Sequence, residues 1–259
     1  MNTADLMTLE RQEQIVGLVN ELGRLTVAEL SQRFGVSETT IRRDLAALTA
    51  RSLIRRTHGG AVRLRPVATS ETPILQRQHE HVEEKERIGT AAARLVQNGE
   101  TLLIVSGSTG LAFARCLEGH SNLTVITDSL LIANELLSQG QHRVIILGGT
   151  VDPDEQAVRS SLARAMLKDF RVDKVFIGTR AVSINGGLSA ETPEEAEFFK
   201  ACIDCGHNVI LITDSSKFHV SALVRLASLE DIHTIVTDAG IDGEIAEQIR
   251  ELGIYLILV

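Results

Sequence analysis

The chain contains no tryptophan and a single tyrosine, Tyr255. It therefore has little with which to stack the bases of single-stranded nucleic acid or the rings of sugars. Its three cysteines, Cys116, Cys202 and Cys205, are too few and too unevenly placed for a disulfide framework, which points to a reducing compartment. Cys202-Ile-Asp-Cys205 lacks a second ligand pair, and neither His58 nor His79-Glu-His81 has partners at ligand spacing. No metal and no cofactor is expected. Long apolar runs are missing too: none approaches the roughly 18 residues of a membrane span. The opening MNTADLMTLERQEQ lacks the basic-then-apolar pattern of a leader. A cytoplasmic protein with no membrane partner is the expectation.

What is present is apolar material for a sizeable core: 44% of the 259 residues are hydrophobic and 23% charged, enough for one large domain or a large and a small one. Taken whole, a net charge of −8 gives no hint of a polyanionic partner. The distribution does. Residues 1–65 carry ten arginines, no lysine and seven acids, a net +3 that leaves −11 for residues 66–259. Within 41–65, seven arginines stand against one acid, Asp44. Such a cluster favours a polyanion at one face, although a solvated basic surface has the same composition.

Periodicity divides the basic half into three short helices and a hairpin. Ile15, Leu18, Val19 and Leu22 follow helical spacing and stop at Gly23. Thr26-Val-Ala-Glu29 is a capping box that starts a second helix near Val27, ending at about Phe34. Gly35 is its stop, and Ser37 caps a third helix that runs to about Thr49. In that helix Ile41, Leu45 and Leu48 share the core face, so Thr39, Arg43 and Ala46 point outward, flanked by Thr40 and Arg42. A short helix, a tight glycine turn and a helix presenting small polar and arginine side chains form the layout of a helix-turn-helix. Arginine can read guanine edges bidentately, while Ser37, Thr39 and Thr40 can meet phosphate or a thymine methyl near the helix N-terminus. An ordinary three-helix packing unit is the competing reading. Residues 53–63 then read as two strands around Gly59-Gly60, a wing whose Arg55 and Arg56, with His58 at the turn, can lie against duplex phosphates.

Residues 66–81 hold two of the four prolines and read as a linker. Beyond it, seven apolar runs alternate with helical segments: 101–105, 123–127, 143–147, 173–177, 208–213, 232–236 and 255–259. Continuous β-branched runs of this kind are strands buried on both faces, hence an α/β domain with a mostly parallel sheet. Ligands of such sheets bind beyond the strands' carboxyl ends. There the sequence has Ser106-Gly107-Ser108-Thr109 leading into a helix, a cradle in which glycine, hydroxyls and helix N-terminus can hold a phosphate. A tight strand–helix connection uses the same small residues. Lys217, after the fifth run, is the candidate point charge on a phosphate. Asp128, after the second, can accept from sugar hydroxyls or cap the next helix. Arg180 is a binding group that cannot act as a base.

Ser37-Glu-Thr-Thr-Ile-Arg-Arg-Asp-Leu45 with Arg56-Thr-His-Gly-Gly-Ala61 resembles the DeoR family of bacterial transcriptional regulators. Lys85-Glu-Arg-Ile-Gly89, Ser106-Gly-Ser-Thr109, Thr127-Asp-Ser129, Gly148-Gly149 and Asp214-Ser-Ser-Lys217 carry the resemblance across nearly the whole chain. It implies a winged helix-turn-helix in 1–65, a linker in 66–81 and, in 82–259, a Rossmann-like effector domain similar to ribose-5-phosphate isomerase. It further implies a homo-oligomeric repressor of a carbohydrate-utilisation operon, with a double-stranded DNA operator and a phosphorylated sugar or polyol as partners. Glu197 corresponds by resemblance to the isomerase acid/base, and Val105 stands where these regulators commonly have Asp. The rival is a sugar-phosphate isomerase with a DNA-binding appendage. Isomerases of this fold carry several acids after the strand-end glycine, whereas 177–183 here has none, so binding without chemistry is expected.

Overall fold

A computed structural model describes residues 8, 11–12, 14–19, 24–50, 53–57, 59–63, 72–220 and 222–259; for residues 50, 55, 63 and 219 the backbone alone is described. The chain forms two compact units, Met1–Arg65 and Pro66–Val259.

In the first unit, strand β1 (Arg24–Thr26) leads directly into helix α1 (Val27–Phe34). The capping box is in place: the Glu29 N–H donates to Thr26 Oγ1 at 3.2 Å, and the Thr26 N–H donates to Glu29 Oε2 at 2.7 Å. Gly35 ends the helix in the left-handed region, at φ 64°. Helix α2 (Glu38–Ala50) follows, its Thr40 N–H donating to Ser37 Oγ at 3.2 Å. Strands β2 (Ile54–Thr57) and β3 (Gly60–Arg63) pair antiparallel as the expected hairpin. Unanticipated is that β1 pairs with β3 to complete a three-stranded sheet. Gly60 permits this approach, since a Cβ there would lie 2.1 Å from the Leu25 carbonyl oxygen. Ile15, Val19, Leu30, Ile41, Leu45, Leu48 and Ile54 form the shared core. Asp44, counted above against the arginines, is buried and accepts from Arg11 Nε at 2.7 Å and Gln12 Nε2 at 3.0 Å. The one acid of the 41–65 segment is thus turned inward.

In the second unit all seven apolar runs are strands of one parallel sheet: β4 (Thr101–Ile104), β5 (Thr124–Thr127), β6 (Arg143–Ile146), β9 (Val172–Ile177), β12 (Gly206–Ile212), β14 (Thr234–Thr237) and β15 (Tyr255–Leu258). Their order is β15-β14-β12-β9-β4-β5-β6. The chain runs outward from β4 through β5 to β6, then returns to lay β9 on the other side of β4, which makes the β4/β9 border the switch point of the sheet. Two apolar clusters pack the unit, one around Phe113, Phe176 and Leu102, the other around Leu103, Val175 and Phe199.

The apolar runs did not announce two smaller features. A ribbon, β7 (Val151–Asp152) with β8 (Ala157–Val158), and a three-stranded antiparallel sheet of β10 (Ala181–Ser183), β11 (Gly187–Ala190) and β13 (Val224–Ala227), use strands of two to four residues. Residues 74–77, read as linker, form helical turn α3 (Ile74–Arg77) with Ile74 and Arg77 buried; the Ile74 N–H donates to the Asp154 carbonyl at 2.9 Å. Two prolines in 66–81 therefore do not mark a free tether over its described part, 72–81; residues 66–71 lie outside the described residues. The remaining helices are α4 (Val82–Ala93), α5 (Ser108–Arg115), α6 (Leu130–Gln139), α7 (Ser161–Leu167), α8 (Pro193–Asp204) and α9 (Gly243–Glu251).

Candidate functional site

On the first unit, the helical face opposite the core is outward as the spacing requires. Thr39, Arg42, Arg43 and Ala46 are exposed and Thr40 is half-buried, while Ile41 and Leu45 are fully covered. Ser37 is exposed and caps α2, its Oγ 2.9 Å from Thr40 Oγ1. Arg42 pairs with Glu38 one turn earlier at 2.8 Å, with both side chains half in water. An exposed pair of this kind contributes little and is readily exchanged for a phosphate contact. Arg56 is exposed on β2, and Arg55 lies on the same strand. His58 lies outside the described residues.

In the second unit, β4, β9 and β12 lie side by side, and the segments leaving their carboxyl ends meet at one pocket. Ser106, Gly107, Ser108 and Thr109 line one wall, Gly178, Thr179 and Arg180 another, and Thr213 and Lys217 a third. Gly107 caps α5 at φ 152°, in space where a Cβ would meet nothing; backbone conformation rather than room selects glycine there. The first helical bond, Leu111 N–H to the Gly107 carbonyl, leaves the amides of the first turn without helical acceptors at the pocket wall. Lys217 sits on a 3-10 turn, Ser215–His219, held by two carboxylates. Asp214 accepts from the Ser216 N–H at 3.1 Å, and Asp238 accepts from the Ser215 N–H at 2.6 Å. Burial pushes the Asp238 carboxyl up, but the donors of Ser215 and Gly240 outweigh it and hold the group below its ordinary value.

Two of the anticipated residues lie elsewhere. Asp128 is fully buried beneath the pocket rather than lining it, and it accepts from the Ser106 N–H and Oγ, both at 2.7 Å. It does not cap α6 either; Ser129 does, accepting from the Ile132 N–H. Burial raises the Asp128 carboxyl, opposed by the Arg159 guanidinium 3.3 Å away and by the Ser106 donors. Asp128 therefore holds the phosphate-loop candidate in place. Glu197 is exposed and pairs with Arg164; residues two apart on a helix face different ways, so it lies outside this pocket, on the wall of the wider cleft beside it. Its neighbour Glu195, on the inner side of α8, lines the pocket instead.

Several pocket residues escaped the sequence reading. Arg77 comes from a segment taken for linker, and Arg159 follows a two-residue strand with no apolar run to flag it. The Arg159 guanidinium lies over Phe198 and Phe199, 5.7 and 6.0 Å from the ring centroids, and donates to Ser106 Oγ at 3.1 Å. Acids missing from 177–183 are supplied by other elements. Glu155 accepts from Arg77 Nη2 at 2.5 Å, and Glu195 accepts from Arg180 Nε at 3.2 Å and from the Glu191 N–H at 2.9 Å. Arg77, Arg159, Arg180 and Lys217 thus surround hydroxyls and helix amides, with Glu155 and Glu195 as pocket carboxylates. A wider cleft adjoins, sharing Glu155, Arg159, Arg180 and Glu195. Val105 is packed in the core, where Asp would be buried beside the loop. Cys202 and Cys205 are also interior, and burial pushes the Cys205 thiol up to about 11. No helix among the described residues is long and apolar enough to cross a membrane.

Comparison with known proteins gives matches over both units. Residues 11–67 match the family model of the DeoR-like helix-turn-helix domain, and residues 80–239 that of the DeoR C terminal sensor domain. Among curated relatives, the glycerol-3-phosphate regulon repressor of Escherichia coli (strain K12) is 34% identical over 89% of this chain and 90% of its own length. The putative aga operon transcriptional repressor of Escherichia coli O157:H7 is 31% identical over 97% and 94%. Transcriptional repressor AccR of Agrobacterium fabrum is 34% identical over 90% of each. A distant likeness among solved structures is ribose 5 phosphate isomerase A from Neisseria gonorrhoeae, at 17% identity over 54% of either chain and a TM-score of 0.39. The chain belongs to the DeoR family of transcriptional regulators, with a DeoR-type helix-turn-helix unit followed by a DeoR-type sensor unit.

Proposed function

We propose that the chain is a cytoplasmic, homo-oligomeric repressor of a carbohydrate-utilisation operon that binds duplex DNA through the outer face of α2 and the wing. A phosphorylated sugar or polyol in the sensor pocket weakens that binding. The observation that carries the reading is the convergence of small hydroxyl residues, the first turn of α5 and four cationic side chains at the sheet's switch point. Phosphate is matched by this set: amides and hydroxyls donate to its oxygens, and guanidinium and ammonium groups balance its charge. The polyol portion extends toward the adjoining cleft, where carboxylates accept from hydroxyls. Ser37, Thr39, Thr40, Arg42, Arg43, Arg55, Arg56 and His58 face the DNA in this reading. The relatives named for glycerol-3-phosphate and for the aga operon support the effector class.

Turnover of the effector is not part of the proposal. Isomerisation needs a carboxylate free to take a carbon-bound proton. Glu155 and Glu195 are each engaged by a guanidinium that holds them in place. Thermal-shift titration against pentose, hexose and polyol phosphates tests both halves. At least one compound should raise the melting temperature and be recovered unchanged after prolonged incubation. Failure of every phosphate ester to shift the transition, or recovery of an isomerised product, contradicts the assignment.

A further inference from the structure

Arg77 joins the anion pocket to the stretch of chain that leads from the DNA-binding unit. Its side chain is 9% exposed and lines the pocket; Nη2 donates to Glu155 at 2.5 Å and Nε to the Thr72 carbonyl at 2.8 Å. Its own carbonyl, with that of Glu80, accepts from the buried Lys85 ammonium, each at 2.6 Å. Asp154, beside Glu155, accepts from the Ile74 N–H. Residues 72–80 are therefore clamped between the β7–β8 turn and the start of α4, and Arg77 reaches from that clamp to the place where an anion would sit. Only residues 64–71 separate the segment from the last described residue of the wing hairpin, Arg63.

We propose that Arg77 is an effector-binding residue that reports occupancy to the DNA-binding unit: the bound anion competes with Glu155 for the guanidinium, and the shared pull resets residues 72–80. This rests on the phosphate reading of the pocket. A buried guanidinium that already donates to the Glu155 carboxylate and the Thr72 carbonyl is oriented before the anion arrives, so binding changes its partner rather than ordering it anew. The effect on DNA follows because an anion that binds the two arrangements of 72–80 unequally must shift the balance between them.

The test uses the full chain with inorganic phosphate as probe, and reads phosphate affinity together with hydrogen exchange of amides 74–80. Wild type, R77Q, R77K and K217A are compared. Wild type should bind phosphate and change its exchange at 74–80. K217A should bind more weakly yet, at saturation, change the same amides. R77Q should bind roughly ten- to hundredfold more weakly, as expected for loss of a charge-assisted contact, and at saturation leave 74–80 unaltered. R77K should recover part of the affinity. Should R77Q fail to fold, E155Q supplies the second arm: with the competing carboxylate gone, phosphate should bind more tightly than to wild type. Wild-type affinity and exchange response in R77Q, or unchanged or weaker binding in E155Q, overturns the role of Arg77. Silence of wild type toward phosphate overturns the pocket reading itself.

Discussion

Asp128 shows how far a residue's role can depend on depth. A carboxylate after a parallel strand is well placed to touch a ligand, but here it lies one layer below, holding the Ser106 N–H and hydroxyl on one side and the Arg159 guanidinium on the other. Asn in its place keeps one acceptor oxygen and turns an NH2 donor toward one of those donors, leaving Arg159 without its neutralising charge. D128N should lose about 3 kcal/mol in the unfolding of the sensor unit, within the range for breaking a buried ion pair; a loss below about 1 kcal/mol in chemical denaturation would remove Asp128 from its supporting role. Arg43 is the opposite case, exposed and outward on α2. R43A should weaken operator binding by about 1–3 kcal/mol if the guanidinium reads a base edge bidentately. The loss should fall mainly on the cognate site, whereas an equal loss on unrelated duplex would identify a phosphate contact.

At the level of elements, the capping box at the start of α1 joins local sequence to pH. The Thr26 N–H and hydroxyl donate to the Glu29 carboxylate and hold its pKa below the ordinary 4.5. A carboxyl whose folded pKa is depressed stabilises the folded state above its unfolded value and loses that contribution as pH falls through the folded value. Acidification below about pH 4.5 should thus weaken the winged unit less in E29Q than in wild type, as read by thermal melts across pH; parallel melts would count against the cap. Such short-range signals were legible in the sequence: the box, the Gly35 stop, the hairpin and all seven parallel strands follow from spacing and run length. What escaped was set by long-range pairing. β1 is three residues long and exists because β3 accepts it, and β7, β8, β10, β11 and β13 are too short to show periodicity. The pocket was legible where a strand run pointed to it, at 106–109, 180 and 217. Arg77, Glu155 and Arg159 come from a helical turn and a ribbon with no such run, and Glu195 was passed over for Glu197 because Glu197 was chosen by resemblance, which does not say which side of α8 packs toward the pocket.

Across the whole molecule, the charge asymmetry acquires a physical reading. Among the described residues, Asp44 is buried with Arg11 as partner, so the outer face of α2 keeps its arginines free of that acid. The sensor unit, net negative, gathers Arg77, Arg159, Arg180 and Lys217 at one pocket. A basic surface for one polyanion and a cationic pocket for a small anion are useful together only if the two bindings are coupled, and coupling in free energy is reciprocal. The most direct measurement takes a phosphate ester that raises the melting temperature and determines DNA affinity with and without it, then ester affinity with and without operator DNA, at fixed salt. The account predicts the same factor in both directions, roughly 5- to 150-fold, each ligand weakening the other. An ester that occupies the pocket while operator affinity stays unchanged would contradict it.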